Sequence, residues 1–551
     1  MVSQQAASRA KIDIAQTKGG SRTGNSPFPL KVDIMDIKII FQTARCVTLE
    51  AEDGSIYESA REREVYVNGA LYRKTNRTIF SIYGLKPQTE YEILVKDAEE
   101  EQTVMIRTDD EFVTLNVRDF GAKGDGVQDD THFIQAAIMS CPKESRVLIP
   151  EGTYKITSLF LKDDIRIELA KGALLLGETD RRKFAILKGL VDSYDETAEY
   201  NLGTWEGNPL DCFAALITGV NVKNVVIYGQ GVVDGNASFE NWWKDPKEKN
   251  IAFRPRMIFL NHCENVTIQG ICVQNSPSWN VHPYFSDHLR FVNMEIINPK
   301  VSPNTDGLDP ESCHDVEVVG VYISVGDDCI AVKSGKIYMG RKYKRACENL
   351  VIRQCCMRDG HGSITVGSEM AGGVRNMTVQ DCVFLNTDRG LRIKTRRGRG
   401  QDAVLDEITF AHIRMDHVKT PFVVNCFYFC DPDGHTEYVQ TKETLPVDER
   451  TPEVRHLVFR DIDASNCHLA AAFMYGLPER KIQCVEMENI KVSYAPEAQP
   501  GQIAMMEGIE ERCHVGIYAN NIETLVLKNV EITGQDGEPV TAENVDHLIR
   551  E

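Results

Sequence analysis

The chain has 551 residues, of which 42% are hydrophobic and 26% are charged, and its formal net charge is −19. These values are typical of a globular protein with two or more domains, and the acidic charge argues against general binding to nucleic acid or to an anionic membrane. The sequence contains no run of 18 apolar residues, so no membrane-spanning helix is predicted.

The first 34 residues are polar and lack the apolar segment of a secretory signal peptide. Because the strand-like run IKIIF (37–41) follows Met35 so closely, we predict that the native chain starts at Met35. Residues 1–34 would then be an extension added upstream of the native start, and the alternative is that they are a disordered native tail. The 16 cysteines show neither zinc-ligand spacing nor a disulfide framework. We therefore expect reduced, mostly buried thiols and a cytoplasmic location, whereas a signal peptide already removed would mean secretion.

Residues 35–110 contain short alternating runs separated by turn signals, the pattern of a small β-sandwich. The runs are VTLEAE (47–52), VYVNG (65–69), TIFSIYGL (78–85) and YEILV (91–95). The string GLKPQTEYEILV (84–95), preceded by VYVNG, resembles fibronectin type III domains, although the tryptophan usual in their second strand is absent. Such a domain is expected to be a spacer or an accessory unit.

A new pattern begins near residue 111. The string NVRDFGAKGDGVQDDTHFIQAAI (116–138) combines a Gly/Asp-rich turn with an amphipathic helix that is predicted to open at Asp130 or Thr131. The aspartates are interpreted as turn and capping residues rather than as metal ligands. The helix is expected to cover the open end of a stacked sheet, which would otherwise expose unpaired backbone groups.

A weak repeat occupies most of the remaining chain. Each unit has a polar turn and an alternating run, and the units are NVTI (265–268), HLRF (288–291), DVEV (315–318), NLVI (349–352), NMTV (376–379), EITF (407–410), HLVF (456–459), CVEM (484–487) and TLVL (524–527). In the first five of these units, the second residues are 266, 289, 316, 350 and 377, which lie 23, 27, 34 and 27 positions apart. Such a period is typical of solenoids. Short β-like runs with few helices predict a β-solenoid over 111–551, with parallel strands about 4.8 Å apart.

Four strings within the repeat are unusual for a purely structural solenoid: NTDG (304–307), GDDC (326–329), GHG (360–362) and RIK (392–394). Asp327 and His361 each follow the second residue of their repeat unit by 11 positions, and Asp388 has the same offset. These residues should therefore occupy equivalent positions on successive coils, with neighbours roughly 5 Å apart. The other members of the strings that are expected on the same face are Asp306, Arg392 and Lys394.

Three carboxylates beside a histidine and two cations indicate acid–base chemistry. Like charges this close raise the pKa of one group and leave another ionised, as hydrolysis of a glycosidic bond requires. The arginine and the lysine suit a carboxylate on the ligand, such as that of a uronic acid. A solvated Asp/Asn ladder in the turns would explain any one of these residues alone, but it does not explain the four strings together.

The four strings, in this order and spacing, resemble the polygalacturonases of glycoside hydrolase family 28 over about 116–527. The resemblance implies an all-β protein with a right-handed parallel β-helix of the pectin lyase-like type, which hydrolyses α-1,4-galacturonosyl linkages with inversion. It implies that Asp327 is the general acid, that Asp306 and Asp328 hold and activate the water, and that His361 tunes the acid. The substrate-binding residues that it implies are Arg392, Lys394, Asn304 and Tyr428.

Two long inserts, 177–216 with Trp205 and 430–451, distinguish the sequence from short endo-acting members, as does GSEMAGG (367–373) after the histidine string. These features resemble the bacterial exo-acting branch, some of whose members also carry a fibronectin-like domain. We therefore expect a groove closed at one end, action from a chain end on galacturonate oligosaccharides or polysaccharides, and no metal or other cofactor. The alternative is that the inserts only pack on the solenoid.

The basic run DRGLRIKTRRGRG (388–400) is interpreted as an anion-binding rim rather than a nucleic-acid site, because the chain is acidic and no aromatic residues interleave. Three other functions stay open. They are β-elimination by a calcium-dependent pectate lyase, hydrolysis of a substituted pectin backbone such as rhamnogalacturonan or xylogalacturonan, and carbohydrate binding without catalysis. The GDD and GHG strings disfavour the lyase, and three clustered carboxylates disfavour the binder.

Overall fold

The computed structural model describes residues 35–190 and 201–551, so the predicted extension at 1–34 lies outside the described residues. Strands dominate the described part, which confirms the predicted all-β class. Its helices are short: the α-helices are Thr131–Ser140, Ile337–Tyr343 and Glu437–Gln440, and the 3-10 helices are Val117–Phe120, Arg181–Lys183 and Pro432–His435. None of these helices is long and apolar enough to cross a membrane.

Seven antiparallel strands form two facing sheets at the N-terminus, which confirms the predicted small β-sandwich. One sheet has the order Asp36–Gln42, Cys46–Glu52 and Ile79–Tyr83; the other has the order Ala70–Arg77, Glu58–Val67, Glu90–Lys96 and Glu101–Arg107. Alternate side chains of these strands, including Leu49, Phe80 and Val95, form their own apolar core.

From Thr114 onward the chain is a parallel β-helix built from three stacks of strands, as predicted. The first stack contains Thr114–Asn116, Arg146–Ile149, Ile165–Leu169, Lys223–Gly229, Glu264–Gln269, Asp287–Val292, His314–Val319 and Cys347–Arg353. The second stack contains Asp125–Asp129, Gly152–Ile156, Ala173–Gly177, Val232–Asp234, Cys272–Gln274, Glu295–Ile297, Tyr322–Ser324 and Cys356–Arg358. The third stack contains Leu159–Phe160, Ile217–Val220, Ile258–Asn261, Val281–Tyr284, Ile330–Val332, Ile364–Gly367, Arg389–Lys394, Thr420–Asn425 and Ala470–Tyr475.

The last coils have longer strands. Four strands run through the first and second stacks without a break: Val374–Leu385, Val404–Asp416, His456–Cys467 and Ile482–Tyr494. The strand Val515–Thr533 continues from the third stack into the other two, and Val540–Arg550 pairs with it as the last strand of the chain. Three two-residue strands complete the set: Glu453–Val454 beside the first stack and the hairpin pair Ile186–Leu187 and Cys212–Phe213.

A polar residue at the start of many coils makes the turn into the first stack. Asn224, Asn265, Asp315, Asn349 and Asn376 all have φ between 51° and 60°, a conformation that asparagine and aspartate tolerate better than most residues. Their side chains also bond from coil to coil, as in the 2.8 Å hydrogen bond from Asn376 Nδ2 to Asn349 Oδ1. This ladder keeps the turns in register, so the strands that follow stay in register as well.

The space between the stacks is filled by one continuous apolar core. Helix Thr131–Ser140 covers its N-terminal end and buries Ile134 against it, as predicted. Asp130 precedes this helix but does not cap it, since its side chain accepts hydrogen bonds from the backbone N–H groups of Lys123 and Gly124, each at 2.9 Å. The aspartate thus stabilises the Gly/Asp-rich turn.

The sandwich packs on the first and second stacks, not on the third. The apolar contact joins Ile79 to Val319, and Gly320 leaves room for it because a Cβ there would lie 2.6 Å from Ile79. Buried Gln269 donates hydrogen bonds to hydroxyl groups of the sandwich, including that of Tyr83 at 2.9 Å. The strand Cys46–Glu52 is therefore buried on both faces, one toward the sandwich core and one toward the β-helix.

Candidate active site

The third stack aligns the residues that were predicted to share one face. Leu308 pairs with Ile330, Ile330 with Ile364, and Ile364 with Leu391, all in parallel register. The positions just before these four residues therefore lie side by side. They carry the predicted residues Asp306, Asp327, Asp328 and His361, together with the register-equivalent Asp388.

The carboxylates of Asp306, Asp327 and Asp328 form a tight group. Oxygen atoms, one from each, all lie within 4.8 Å of one another. The exposed fraction of the side chain is 6% for Asp306, 24% for Asp327 and 1% for Asp328. Because carboxylates this close resist simultaneous ionisation, the group can share a proton, and Asp327 is the member that is open to solvent.

Two cations hold Asp328 in its ionised form. Lys394 Nζ lies 2.7 Å from Asp328 Oδ2, and Arg392 Nη1 lies 3.2 Å from Asp328 Oδ1. Burial alone would raise the pKa of Asp328, but the charges of Lys394 and Arg392 outweigh burial and hold this pKa well below its usual range. Asp328 in turn raises the pKa of both cations against the effect of burial.

His361 lies over Asp327, as the spacing predicted. Its backbone N–H donates to the Asp327 carbonyl at 2.9 Å, and its Nδ1 lies 3.3 Å from Asp327 Oδ1. The hydrogen bond to Asp327 raises the pKa of His361 against the effect of burial. Asp388, the register-equivalent residue on the next coil, forms an ion pair with Lys419 at 2.8 Å instead.

Lys333 is a site residue that the sequence analysis missed. Its Nζ lies 3.3 Å from Asp306 Oδ2 and 3.5 Å from the centre of the Trp279 ring. Burial raises the pKa of Asp306 to about 7, with Lys333 opposing the rise and the other two aspartates adding to it. A signal was available, since Lys333 follows Ile330 by three positions as Lys394 follows Leu391.

Arg254, also missed, holds the predicted residue Asn304. Its Nη2 donates to Asn304 Oδ1 at 2.7 Å, and its Nη1 donates to the carbonyls of Pro277 and Pro303 at 2.6 and 3.2 Å. Asn304 is two positions before Asp306 in a turn with φ of 54°. The side-chain amide of asparagine also offers two N–H donors.

The predicted residue Tyr428 stands beside the two cations. The centre of its ring lies 5.6 Å from Lys394 Nζ and 5.8 Å from Arg392 Cζ, distances suited to a cation–π contact. Burial raises the pKa of Tyr428, and the two cations oppose this rise. Seven of the eight predicted site residues are therefore joined by contacts, and Asn304 lies in the turn that leads to Asp306.

The later part of the basic run at 388–400 does not belong to the predicted anion-binding rim. Arg396, Arg397 and Arg399 are only 1%, 1% and 4% exposed. Arg397 pairs with Glu479 at 2.6 Å, and Arg396 pairs with Asp433 at 2.8 Å. The later part of the run turns inward and fixes loops, so the predicted rim is wrong for these three arginines.

The insert at 177–216 covers the earlier coils of the third stack. We call the outer face of this stack from Leu308 to Lys394 the groove. Asn201 Nδ2 donates to the hydroxyl of Tyr284 at 2.7 Å, and the Trp205 ring stacks on Phe253 at 4.9 Å and on Trp279 at 6.2 Å. Residues 191–200 of the insert lie outside the described residues. The described part closes the groove on the side of the earlier coils.

A segment that the sequence analysis did not single out, 501–507, covers the later coils. Met505 O accepts a hydrogen bond from Asn425 Nδ2 at 3.0 Å, and Met505 Sδ lies 3.0 Å from Arg392 Nη2. Because Asn425 pairs with Lys394 across neighbouring coils, this contact lies directly beyond the groove. The four coils between the two segments, from Leu308 to Lys394, correspond to a length of about 15 Å.

Three groups of described side chains have ligand atoms close enough together to hold a metal ion: His456, Cys484 and Glu486; Cys513, His514 and Asp536; and Asp306, Asp327 and Asp328. In the last group, Lys394 and Arg392 already neutralise one carboxylate, and Lys333 faces another. These positive charges oppose the binding of a cation at this position.

The sequence model of glycosyl hydrolases family 28 matches residues 166–508, a range that includes every predicted site residue. The chain belongs to this family. It is therefore a glycoside hydrolase, as predicted.

Several relatives of this hydrolase are similar over most of their length. A probable polygalacturonase from Vitis vinifera is 30% identical over 401 residues, which cover 71% of this chain and 77% of the relative. An endo-polygalacturonase from Pectobacterium carotovorum subsp. carotovorum is 28% identical over 378 residues, with coverages of 66% and 84%. This chain shares its fold with the family 28 exopolygalacturonase of Yersinia enterocolitica. The TM-score is 0.68 at 19% identity, and the match covers 93% of this chain and 98% of that one. A hyperthermoactive exopolygalacturonase from Thermotoga maritima gives a TM-score of 0.58 at 26% identity, with coverages of 70% and 89%.

Proposed function

We propose that this hydrolase cleaves α-1,4-galacturonosyl linkages in polygalacturonate or its oligosaccharides. The observation that carries the proposal is the pairing of Asp328 with Arg392 and Lys394 directly beside Asp327 and His361. This arrangement combines acid–base groups with two cations that suit the carboxylate of a uronic acid. The relatives described as polygalacturonases support the same substrate.

In the proposed reaction, Asp327 is the general acid that protonates the leaving oxygen. It is the most exposed of the three carboxylates, so a substrate can reach it, and it lies close enough to Asp306 to share a proton. Asp306 and Asp328 hold and activate the attacking water. Asp328, which two cations keep ionised, accepts a hydrogen bond from the water, and Asp306, with its raised pKa of about 7, is the stronger base that takes the proton. His361 tunes Asp327 through their direct contact.

Arg392 and Lys394 are proposed to bind the carboxylate of a galacturonate unit. Each has donors beyond those that contact Asp328, since a guanidinium offers five N–H groups and an ammonium three. Asn304 and Tyr428 flank them and are proposed to bind sugar hydroxyl groups. The expectation that the partner is a galacturonate saccharide, not a nucleic acid or a membrane, rests on the same chemistry.

We also propose that the enzyme acts from a chain end. The insert at 177–216 buries Phe259 and Tyr284, which are 2% and 1% exposed, in the coils that precede the acids. A long polymer passing through the groove would need this face to be free. The relatives include both an endo-acting and an exo-acting enzyme, so the mode rests on the covered coils.

Inversion at the anomeric carbon is part of the proposal. Inverting glycosidases usually separate their two carboxylates by roughly 6.5–9.5 Å, whereas carboxylate oxygens of Asp306, Asp327 and Asp328 all lie within 4.8 Å here. In this arrangement the water would be held beside two acceptors rather than between widely spaced groups. Proton NMR of the first product formed reports the anomer directly, and a retained α-anomer would contradict inversion.

The deciding experiment is the product profile from hexagalacturonate and from long polygalacturonate. We expect one small product from the first turnover, and viscosity that falls slowly relative to the reducing ends formed. A spread of mid-length oligomers with a rapid loss of viscosity would overturn the chain-end mode and leave the hydrolysis intact. A product that absorbs in the ultraviolet, with activity lost in chelator and restored by calcium, would instead mean β-elimination. Higher rates on xylogalacturonan or rhamnogalacturonan would move the substrate to a substituted backbone.

We propose that residues 35–110 form a fibronectin type III-like domain and that 111–551 form the catalytic domain. The division of seven strands into sheets of three and four, described above, supports the first assignment. The interface with the first and second stacks leaves this domain away from the groove, which favours a role as a spacer. Expression of 35–110 alone, followed by thermal unfolding, tests whether it folds as a unit.

The location of the enzyme stays a prediction. Twelve of the 16 cysteine side chains are buried, as expected of thiols that act as small hydrophobic groups. Nothing in the relatives supports a cytoplasmic location. Fractionation of the native host into cells and culture medium tests it, and enzyme in the medium would contradict it.

A further inference from the structure

We infer that Lys333 is a positioning residue of this reaction, whose ammonium group keeps Asp306 ionised and oriented toward the attacking water. The inference rests on the proposed function and adds to it a residue that lies outside the four strings. Lys333 directly follows the strand Ile330–Val332, which comes after the GDDC string. It pairs with Glu311 on the preceding coil, on the groove side of the third stack.

The contacts of Lys333 centre on carboxylates. Its Nζ lies 3.3 Å from Asp306 Oδ2, 3.4 Å from Asp309 Oδ1 and 3.9 Å from Glu369 Oε2. The ring of Trp279 closes the remaining side, with its centre 3.5 Å from Nζ. Only 5% of the lysine side chain is exposed. The ammonium therefore cannot move away from these groups without breaking packed contacts.

The pKa values of the two other carboxylates are shifted in opposite directions. Burial and the neighbouring acids raise the pKa of Asp309 well above its usual range, although Lys333 opposes this rise. Burial also acts to raise the pKa of Glu369, but Lys333 and then other cations lower it to about 2. Lys333 is thus shared between Glu369, whose low pKa keeps it charged at neutral pH, and the catalytic candidate Asp306.

Asp306 is the group whose charge Lys333 controls, because its pKa of about 7 leaves it partly protonated near neutral pH. The charged or titratable groups that face Asp306 are Lys333, Asp327, Asp328, Asp309, Lys394 and Arg254. Among the cations of this set, Lys333 is the one that touches the Asp306 carboxylate. Without it, three acids and burial would act together, and the shared proton would settle on Asp306.

The first test is Lys333→Met, a substitution that keeps the chain length and removes the charge. The acid limb of the pH profile of kcat/KM, which reports the free enzyme, should move to higher pH by about one unit or more. At pH values above the shifted limb, the rate should return to within about tenfold of wild type. The control is Lys336→Met, since Lys336 pairs with Asp431 at 3.1 Å, and its acid limb should stay in place. An unmoved limb in Lys333→Met, with activity lost equally at all pH values, would mean a structural role and overturn the inference.

A second variant guards against misfolding of the first. Glu369→Gln leaves Lys333 with one fewer charged partner, so the ammonium interacts more strongly with Asp306 and the acid limb should move to lower pH. A shift in the same direction as in Lys333→Met would contradict the inference. An activity-independent readout is the ¹³C carboxyl titration of Asp306, assigned by its absence in Asp306→Asn. If wild type fails to cleave polygalacturonate at any pH, the proposed function falls, and the effect of Lys333 on this titration still decides the inference.

Discussion

In two regions of the β-helix, the stacking of coils brings charged side chains together, but with very different exposure to solvent. On the outer face of the first stack, His456 lies between Glu407 at 3.2 Å and Glu486 at 3.1 Å, and the three side chains are 30%, 64% and 47% exposed. In the groove, Asp328 lies between Lys394 and Arg392 at similar distances, and the side chains are only 1%, 10% and 8% exposed. Coil stacking brings opposite charges together in both places, but the free energy of the interaction differs because only the groove charges are buried.

Water explains the difference. An exposed ion pair contributes about 0–1 kcal/mol because solvent screens it, whereas a buried pair that loses one partner costs several kcal/mol. In the groove, Asp328 and its two cations are withdrawn from water, and Met505 of the segment 501–507 contacts Arg392, whereas the first-stack charges are open to solvent. The same stacking of charges therefore gives a strong interaction only where the charges are buried.

The largest effect is expected for Asp327→Asn. The turnover rate should fall by about 10²–10⁴-fold, the contribution of a positioned general acid, while the melting temperature stays close to that of wild type because this side chain is partly exposed. The matched control is Asp388→Asn, the register-equivalent aspartate one coil beyond His361, which should lose far less. Retention of more than about a tenth of the wild-type rate in Asp327→Asn would reject the assignment.

Lys394→Ala and Arg392→Ala should each weaken the binding of galacturonate chains far more than that of neutral galactosides, because a neutral sugar has no carboxylate to pair. Each variant should also lose about 3–5 kcal/mol in the free energy of unfolding, since Asp328 remains buried with one cation fewer. Calorimetric titration and chemical denaturation measure the two effects. Lys419→Ala, an exposed lysine paired with Asp388, provides the control, and equal losses on charged and neutral ligands would contradict the prediction.

His361→Gln should reduce kcat by about tenfold, the equivalent of about one unit in the pKa of a neighbouring acid. The contact with Asp327 raises the pKa of His361 above its ordinary value of 6.5. Its charged form is therefore complete below pH 6.5 and is lost as the pH rises through the raised pKa. The wild-type rate should decline on that alkaline side, and the part of the decline due to His361 should vanish in the glutamine variant. An identical alkaline limb in both proteins would exclude this role.

The smallest effect is expected for His456→Ala on the first stack. Its two glutamates remain in water, so the free energy of unfolding should change by less than about 1 kcal/mol, and the activity should not change. Denaturation curves at low and high salt measure this. A loss as large as that of Lys394→Ala would show that exposure does not separate the two regions.

The contacts that follow the period of the repeat could be predicted from the spacing of the strings. Asp327 and His361 lie at equal offsets and are in contact, and Arg392 and Lys394 reach the same face as Asp328. Lys333 obeys the same register as Lys394, yet it was missed because it stands outside the four strings. Arg254 and Met505 carry no periodic signal, since they reach the site from loops of different lengths. Trp279 stands two positions before Val281, as Asp306 stands two before the paired residue Leu308, but it too lies outside the four strings.

The sequence by itself determined the solenoid, the order of its coils and the face that carries the chemistry. It could do so because each coil contacts its immediate neighbours at a fixed register, so that local patterns specify the strands, the turns and their stacking. Only the tertiary structure decided which stacked charges are buried, that the basic run turns inward, and that the groove is covered on both sides. The burial of one side chain depends on segments that lie hundreds of residues apart in the sequence. The loops among these segments have no repeat period, so their positions cannot be predicted from the sequence.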